Sequence, residues 1–119
     1  MIVMVEQQDV DELARQLLDD LEVDWVSIPR MPWFAARILG PRDNPGAARE
    51  LITSTLLDLV GHPEAKVVDA DMSHEFTSRD ELARHLDEQW ADTGEPIENE
   101  IGWLVERDFE LRQPSVDPD

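Results

Sequence analysis

The residues best placed to do chemistry lie at Val67 to Ser73, VVDADMS, where an apolar run ends in Asp69 and Asp71 and is followed by His74 and Glu75. Carboxylate oxygens and an imidazole in so short a stretch could surround a divalent cation. The spacing is not that of a calcium loop, which requires glycine at its sixth position. The chain carries 28 acidic residues in 119, so carboxylates fall near one another throughout, and closeness by itself selects no metal. His62 stands just beyond a helix end, where an imidazolium suits the helix dipole. Arg42 and Arg49 flank the start of the same helix, a setting that could hold a phosphate, but no glycine-rich loop accompanies them. Nothing around the serines forms a nucleophile elbow. The sequence therefore assigns no catalytic residue, no cofactor and no metal.

The string VVDADMS resembles the first motif of the haloacid-dehalogenase-like phosphotransferases. That resemblance implies a small enzyme with Asp69 as nucleophile and Asp71 as general acid. It covers seven residues. In that family the motif opens a long doubly wound domain with a lysine further on. Here only about fifty residues follow, and the one lysine, Lys66, comes before the motif. A small enzyme is thus the third reading of this chain, behind two that rest on charge.

Net charge is −18, from 28 Asp and Glu against 10 Lys and Arg. The chain lacks the basic footprint that phosphate contact needs, which argues against direct nucleic-acid binding. Self-repulsion of this size strains a small fold at low salt. Scarce lysine beside abundant carboxylates resembles the proteins of salt-accumulating halophiles, which work where the Debye length is only about 3 Å. A GC-rich genome, which favours Arg over Lys, and mimicry of a nucleic acid are the rival explanations. The charge is unevenly spread: residues 1–24 carry net −7, residues 64–119 net −12, and residues 25–63 net +1. Salt adaptation alone would spread acids over all exposed surface, so the exempt stretch needs a reason. Within it Arg30, Met31, Trp33, Phe34, Arg37 and Arg42 are of the types enriched in interface cores, and these six are the candidate interface.

The elements that must position these residues are read from caps and periodicity. Asn44 to Pro63 is one complete helix, with Asn44 as N-cap, Pro45 in the first position, Gly61 as the C′ residue and Pro63 as the stop. Its apolar face is Ala48, Leu51, Ile52, Thr55, Leu56, Leu59 and Val60. Asp9 with Glu12 reads as the capping box of an earlier helix, striped by Val10, Leu13, Ala14, Leu17, Leu18 and Leu21, with Asp19 and Asp20 on its solvated face. Ser78 with Glu81 opens a third helix carrying Leu82, Leu86 and Trp90 and stopped by Gly94. Strands are expected at Met1 to Val5, Asp24 to Ile28, Trp33 to Leu39, Lys66 to Met72 and Ile101 to Leu111. In the last, Trp103, Val105, Phe109 and Leu111 share alternate positions.

This order predicts an α+β sandwich with a ferredoxin-like split βαβ core and a C-terminal α–β extension. Residues 1–112 form a single domain and residues 113–119 an extended tail. Cysteine is absent, so no disulfide or thiol chemistry is available. No apolar run approaches the roughly 18 residues of a membrane span, and Met1 to Val5 is too short for a signal peptide. A cytoplasmic protein, or a virion component, is expected.

The functional expectation is a non-enzymatic interaction or assembly subunit of a halophile or its virus. Its Arg/aromatic segment would meet an acidic protein surface, including that of an identical neighbour in a head-to-tail oligomer, as in a ring-forming neck or tail protein of a tailed virus. The alternative is an acidic nucleic-acid mimic that inhibits a DNA- or RNA-binding protein through Asp87 to Glu110, which holds nine acids and one Arg.

Overall fold

In the computed structural model, which describes residues 5–89 and 102–111, the first helix, α1 (Gln7–Leu21), starts from Glu6 rather than Asp9. Asp9 is the third residue of the helix, and its carboxylate accepts the Glu6 N–H at 3.0 Å. The capping box is therefore Glu6 with Asp9, one turn earlier than the sequence suggests. Glu6 takes a position that shorter side chains usually fill. The apolar stripe stands: Val10, Leu13 and Leu17 are buried, and Ala14, Leu18 and Leu21 pack against the same core.

Of the strand expected from Asp24 to Ile28, only β1 (Val26–Ser27) forms, because a 3-10 turn starts at Ile28 with Pro29 in it. The larger correction is Trp33 to Leu39. This segment is helical, α2 (Met31–Leu39), with Pro32 in its first turn and Gly40 at φ 56° ending it. Met31, Phe34, Ala35 and Leu39 are its buried residues, an i, i+3, i+4, i+8 stripe. Proline and glycine, taken as the limits of a strand, are here the start and stop signals of a helix.

The helix α3 (Pro45–Leu59) follows its caps: Asn44 Oδ1 accepts the Ala47 N–H at 2.9 Å, and Gly61 takes φ 77° beyond the end. Leu51, Ile52, Leu56 and Leu59 are buried, and buried Thr55 satisfies its hydroxyl on the Leu51 carbonyl at 2.7 Å. Then come β2 (Ala65–Asp69), α4 (Arg79–Gln89) and β3 (Gly102–Glu106). Ser78 Oγ accepts the Glu81 N–H at 3.3 Å, as the expected cap requires.

The three strands form an antiparallel sheet in the order β1-β3-β2, with Leu104 opposite both Val26 and Val67. Val26, Ala65, Val67 and Leu104 belong to the main core, which the four helices share. Val68, Val105 and Met72 face the other way, under Trp25, Trp103, Phe109 and Leu111. The last strand ends at Glu106 rather than Leu111, and a turn at Arg107 follows. The four alternating residues nonetheless share one cluster, with Trp25 edge-on to Phe109 at 5.1 Å.

The domain is thus a small α+β unit of four helices and a three-stranded antiparallel sheet among the described residues. The ferredoxin-like order is not reproduced: a helix replaces the strand expected at Trp33 to Leu39, and Met1 to Met4 lie outside the described residues. So do the Glu95 to Glu100 connection and residues 113–119.

Candidate functional site

The Asp-x-Asp motif falls where β2 ends and the chain reverses. Asp69 Oδ1 accepts the N–H groups of Ser73 at 2.9 Å and His74 at 3.3 Å, while Oδ2 lies 3.4 Å from Ser73 Oγ. The reversal passes through Met72 in the left-handed region, φ 60°, and returns beside β2, where Phe76 donates to the Val67 carbonyl at 2.9 Å. Asp69 is committed to bracing this turn. Asp71 is exposed, His74 Nε2 meets Glu81 at 3.0 Å, and Glu75 meets Arg107 at 2.5 Å. The four side chains implicated by sequence do not converge on one point. Among the described residues no group of three His, Asp or Glu could hold a metal ion.

The helix-start anion site is also occupied by protein. Arg49 pairs with Asp87 at 2.7 Å, and Arg42 makes two parallel bonds to Asp9, each of 2.9 Å. The carbonyl of His62 accepts from Arg107, which ties the end of α3 to the turn after β3. Half of the strip proposed for nucleic-acid mimicry, residues 90–101 with four of its nine acids, lies outside the described residues.

The α1–α2 face is better formed. Asp9 near the start of α1 meets Arg42 just after α2, and Asp19 and Asp20 near its end lie with Arg30 just before α2, so the two helices run in opposite directions and leave an open groove between them. One lobe, of about 510 Å³, is lined by Gln8, Asp9, Glu12, Gln16, Arg37, Ile38 and Arg42. The next, of about 430 Å³, shares Gln16 and Arg37 and adds Asp19, Asp20, Arg30, Trp33 and Phe34. Acids from α1 therefore line the groove with arginines from α2 and from the 3-10 turns on either side of it, at three levels: Asp9 with Arg42, Glu12 with Arg37, and Asp19 and Asp20 with Arg30.

Only the first level is closed, by the bidentate Arg42–Asp9 pair, a geometry that favours arginine. Glu12 and Asp19 instead share Arg15 on their own helix. Among the described residues Arg30 and Arg37 make no ion pair. The Arg37 guanidinium lies 4.8 Å over the Trp33 ring, and that ring is 60% exposed.

The six candidate interface residues therefore divide. Met31 and Phe34 are buried in the core, where they hold α2 in place and are not available to a partner. Arg30, Trp33 and Arg37 lie on the outer face, and Arg42 is half-buried beside Asp9. Asp9, Asp19 and Asp20 form the opposing wall, although their local pattern is that of a cap and a solvated face. No local signal links positions 33 apart such as Asp9 and Arg42; only the antiparallel packing of α1 on α2 does.

The Arg42 hydrogen bonds hold the Asp9 carboxyl below its ordinary 3.8; burial opposes this, and the Glu6 N–H and the Arg42 charge add to it. A carboxyl depressed in the folded state contributes stability that is fully present above the unfolded value and is lost as pH falls through the folded one. Asp9→Asn should therefore lower the melting temperature at pH 7, and its gap from the wild type should narrow as pH drops below 3.8. A gap independent of pH would show that the charge of Asp9 contributes nothing.

No family model, curated protein or solved structure matches this chain. Among the described residues no helix is long and apolar enough to cross a membrane.

Proposed function

We propose that this chain is a non-enzymatic interaction or assembly subunit whose outer α2 surface binds an acidic protein surface. The observation that carries the reading is Trp33, 60% exposed between two arginines that make no ion pair among the described residues, in a chain with 28 acids and 10 bases. With carboxylates in such excess, leaving two guanidinium groups beside an exposed indole marks a surface kept for another molecule. The setting proposed is a protein adapted to high salt, from a halophile or its virus. There the charge of −18 is screened and short-range contacts still operate. A small assembly subunit fits the size and the surface, and a ring-forming neck or tail protein of a tailed virus is the form that corresponds to a mass growing beyond two chains.

The test is mass by light scattering in about 1 M KCl, where the Debye length is about 3 Å. Wild type should exceed the 13.6 kDa of one chain as concentration rises. Trp33→Ala with Arg37→Glu should leave a folded monomer, because the first change removes an aromatic anchor worth about 2 kcal/mol or more and the second sets like charges together. Association unaffected by that pair would remove the reading.

A further inference from the structure

We infer that the groove between α1 and α2 takes a second copy of this chain, docked about a two-fold axis that runs along the groove. The inference rests on the reading of the Trp33 surface as an interface and names its occupant.

The two walls carry opposite charge: Glu12, Asp19 and Asp20 on α1, the first two already sharing Arg15, face Arg37 on α2 and Arg30 just before it, with Glu12 and Arg37 lining one lobe and Asp19, Asp20 and Arg30 the next. A half-turn about an axis parallel to the groove preserves the height of every residue and exchanges the walls. Residues that oppose one another across the groove in one copy then meet face to face between copies. Arg30 of each copy comes to Asp19 and Asp20 of the other, and Arg37 comes to the level of Glu12 and Gln16. Each contact occurs twice, as an isologous interface requires. Trp33 lies between the two arginines and packs on the opposing α1 at the same level.

Other occupants leave one wall unsatisfied. An acidic peptide would suit Arg30 and Arg37 but would bring its carboxylates against Asp19 and Asp20 in the same lobe. A basic one would meet the reverse conflict. A second copy supplies both signs in the right places and closes the assembly at two chains. Exposed ion pairs contribute little affinity, so the indole provides the binding and the charges fix the register. Two chains of −18 repel at long range, and salt screens that repulsion more than it weakens contacts of a few ångströms. Dimerisation should accordingly strengthen from dilute buffer to about 1 M KCl.

Sedimentation equilibrium in about 1 M KCl tests this with Arg30→Glu, Asp20→Arg, their equimolar mixture and the double variant, circular dichroism confirming that each is folded. The wild-type mass should level off at two chains. Each single change should weaken the dimer about tenfold or more, since like charges face one another twice. The mixture and the double variant should both regain most of the association, because residues 20 and 30 again meet as opposite charges while Asp19 is already paired with Arg15. A wild-type mass that grows beyond two chains, or no recovery on mixing, would overturn the two-fold dimer. The interface reading would survive that result if Trp33→Ala with Arg37→Glu still abolished association. A monomeric wild type would overturn both.

Discussion

Leu56→Ala should destabilise the domain by about 2–5 kcal/mol, the range for a fully buried leucine whose neighbours cannot close over the space. Leu56 is fully buried on α3, and α3 touches α1, α2, α4 and β2. Neighbours drawn from separate elements are held by their own backbone hydrogen bonds, so they cannot all move inward together. Collapse is restricted further by Thr55, whose hydroxyl is fixed to the Leu51 carbonyl one turn back. Against a typical domain stability of about 5–15 kcal/mol, the loss is a large fraction of the whole. Asp19→Ala, on the exposed face of α1, should change stability by only about 0.5 kcal/mol. Urea unfolding at fixed salt compares the two. Near-equal losses would mean that α3 does not occupy the centre of the core.

The success with α3 and the failure with α2 have one physical origin. In α3 a cap, a first-position proline, a stop glycine and a helical period coincide over 15 residues, so no other element satisfies them all. In α2 the run from Trp33 to Leu39 is only seven residues, apolar except for Arg37, and periodicity over so short a stretch does not separate strand from helix. The deciding residue is Met31, which lies before Pro32 and outside the expected strand. Included, it completes the stripe with Phe34, Ala35 and Leu39.

The same misassignment explains the candidate surface. Residue types alone marked Arg30 to Arg42 as unusual, but a strand would have put Trp33 and Phe34 on opposite faces with no rule for which was outside. The helix sends Phe34 inward and leaves Trp33 between the arginines. The acidic wall was legible as composition only. Asp19 and Asp20 gain meaning from the α2 residues across the groove, and tertiary packing sets that relation. At the other end of the chain, the cluster of Trp103, Val105, Phe109 and Leu111 was legible even though the strand stops at Glu106. Phe109 folds back onto the same face after the turn, its N–H held by the Glu106 carbonyl at 3.0 Å.

Gly102→Ala should also destabilise the domain, at a position no periodicity points to. Gly102 begins β3, the middle strand, and lies opposite Asp69 in the ladder. A Cβ built there would stand 2.4 Å from the Val68 carbonyl oxygen and 3.2 Å from Ile28 Cδ1. The isoleucine can give, but the carbonyl is backbone of β2 and cannot rotate aside without shifting the strand. Alanine in place of glycine ordinarily favours a strand by about 0.5–1 kcal/mol through chain entropy. Overpacking costs about 1–3 kcal/mol, so the steric effect decides the sign. The displaced strand end includes Asp69, whose carboxylate holds Ser73 and His74, so the loss should extend to the reversal after β2. Gly46→Ala is the contrasting change. It lies in the first turn of α3, where a Cβ would meet only Asn44 Oδ1 at an ordinary 3.4 Å, and helix propensity should raise stability by up to about 1 kcal/mol. Urea midpoints should therefore move in opposite directions for the two glycines, and amide exchange at Ser73 and His74 should quicken only in the Gly102 variant. A Gly102→Ala midpoint at or above wild type would show that β2 and β3 can part at this end of the ladder without cost.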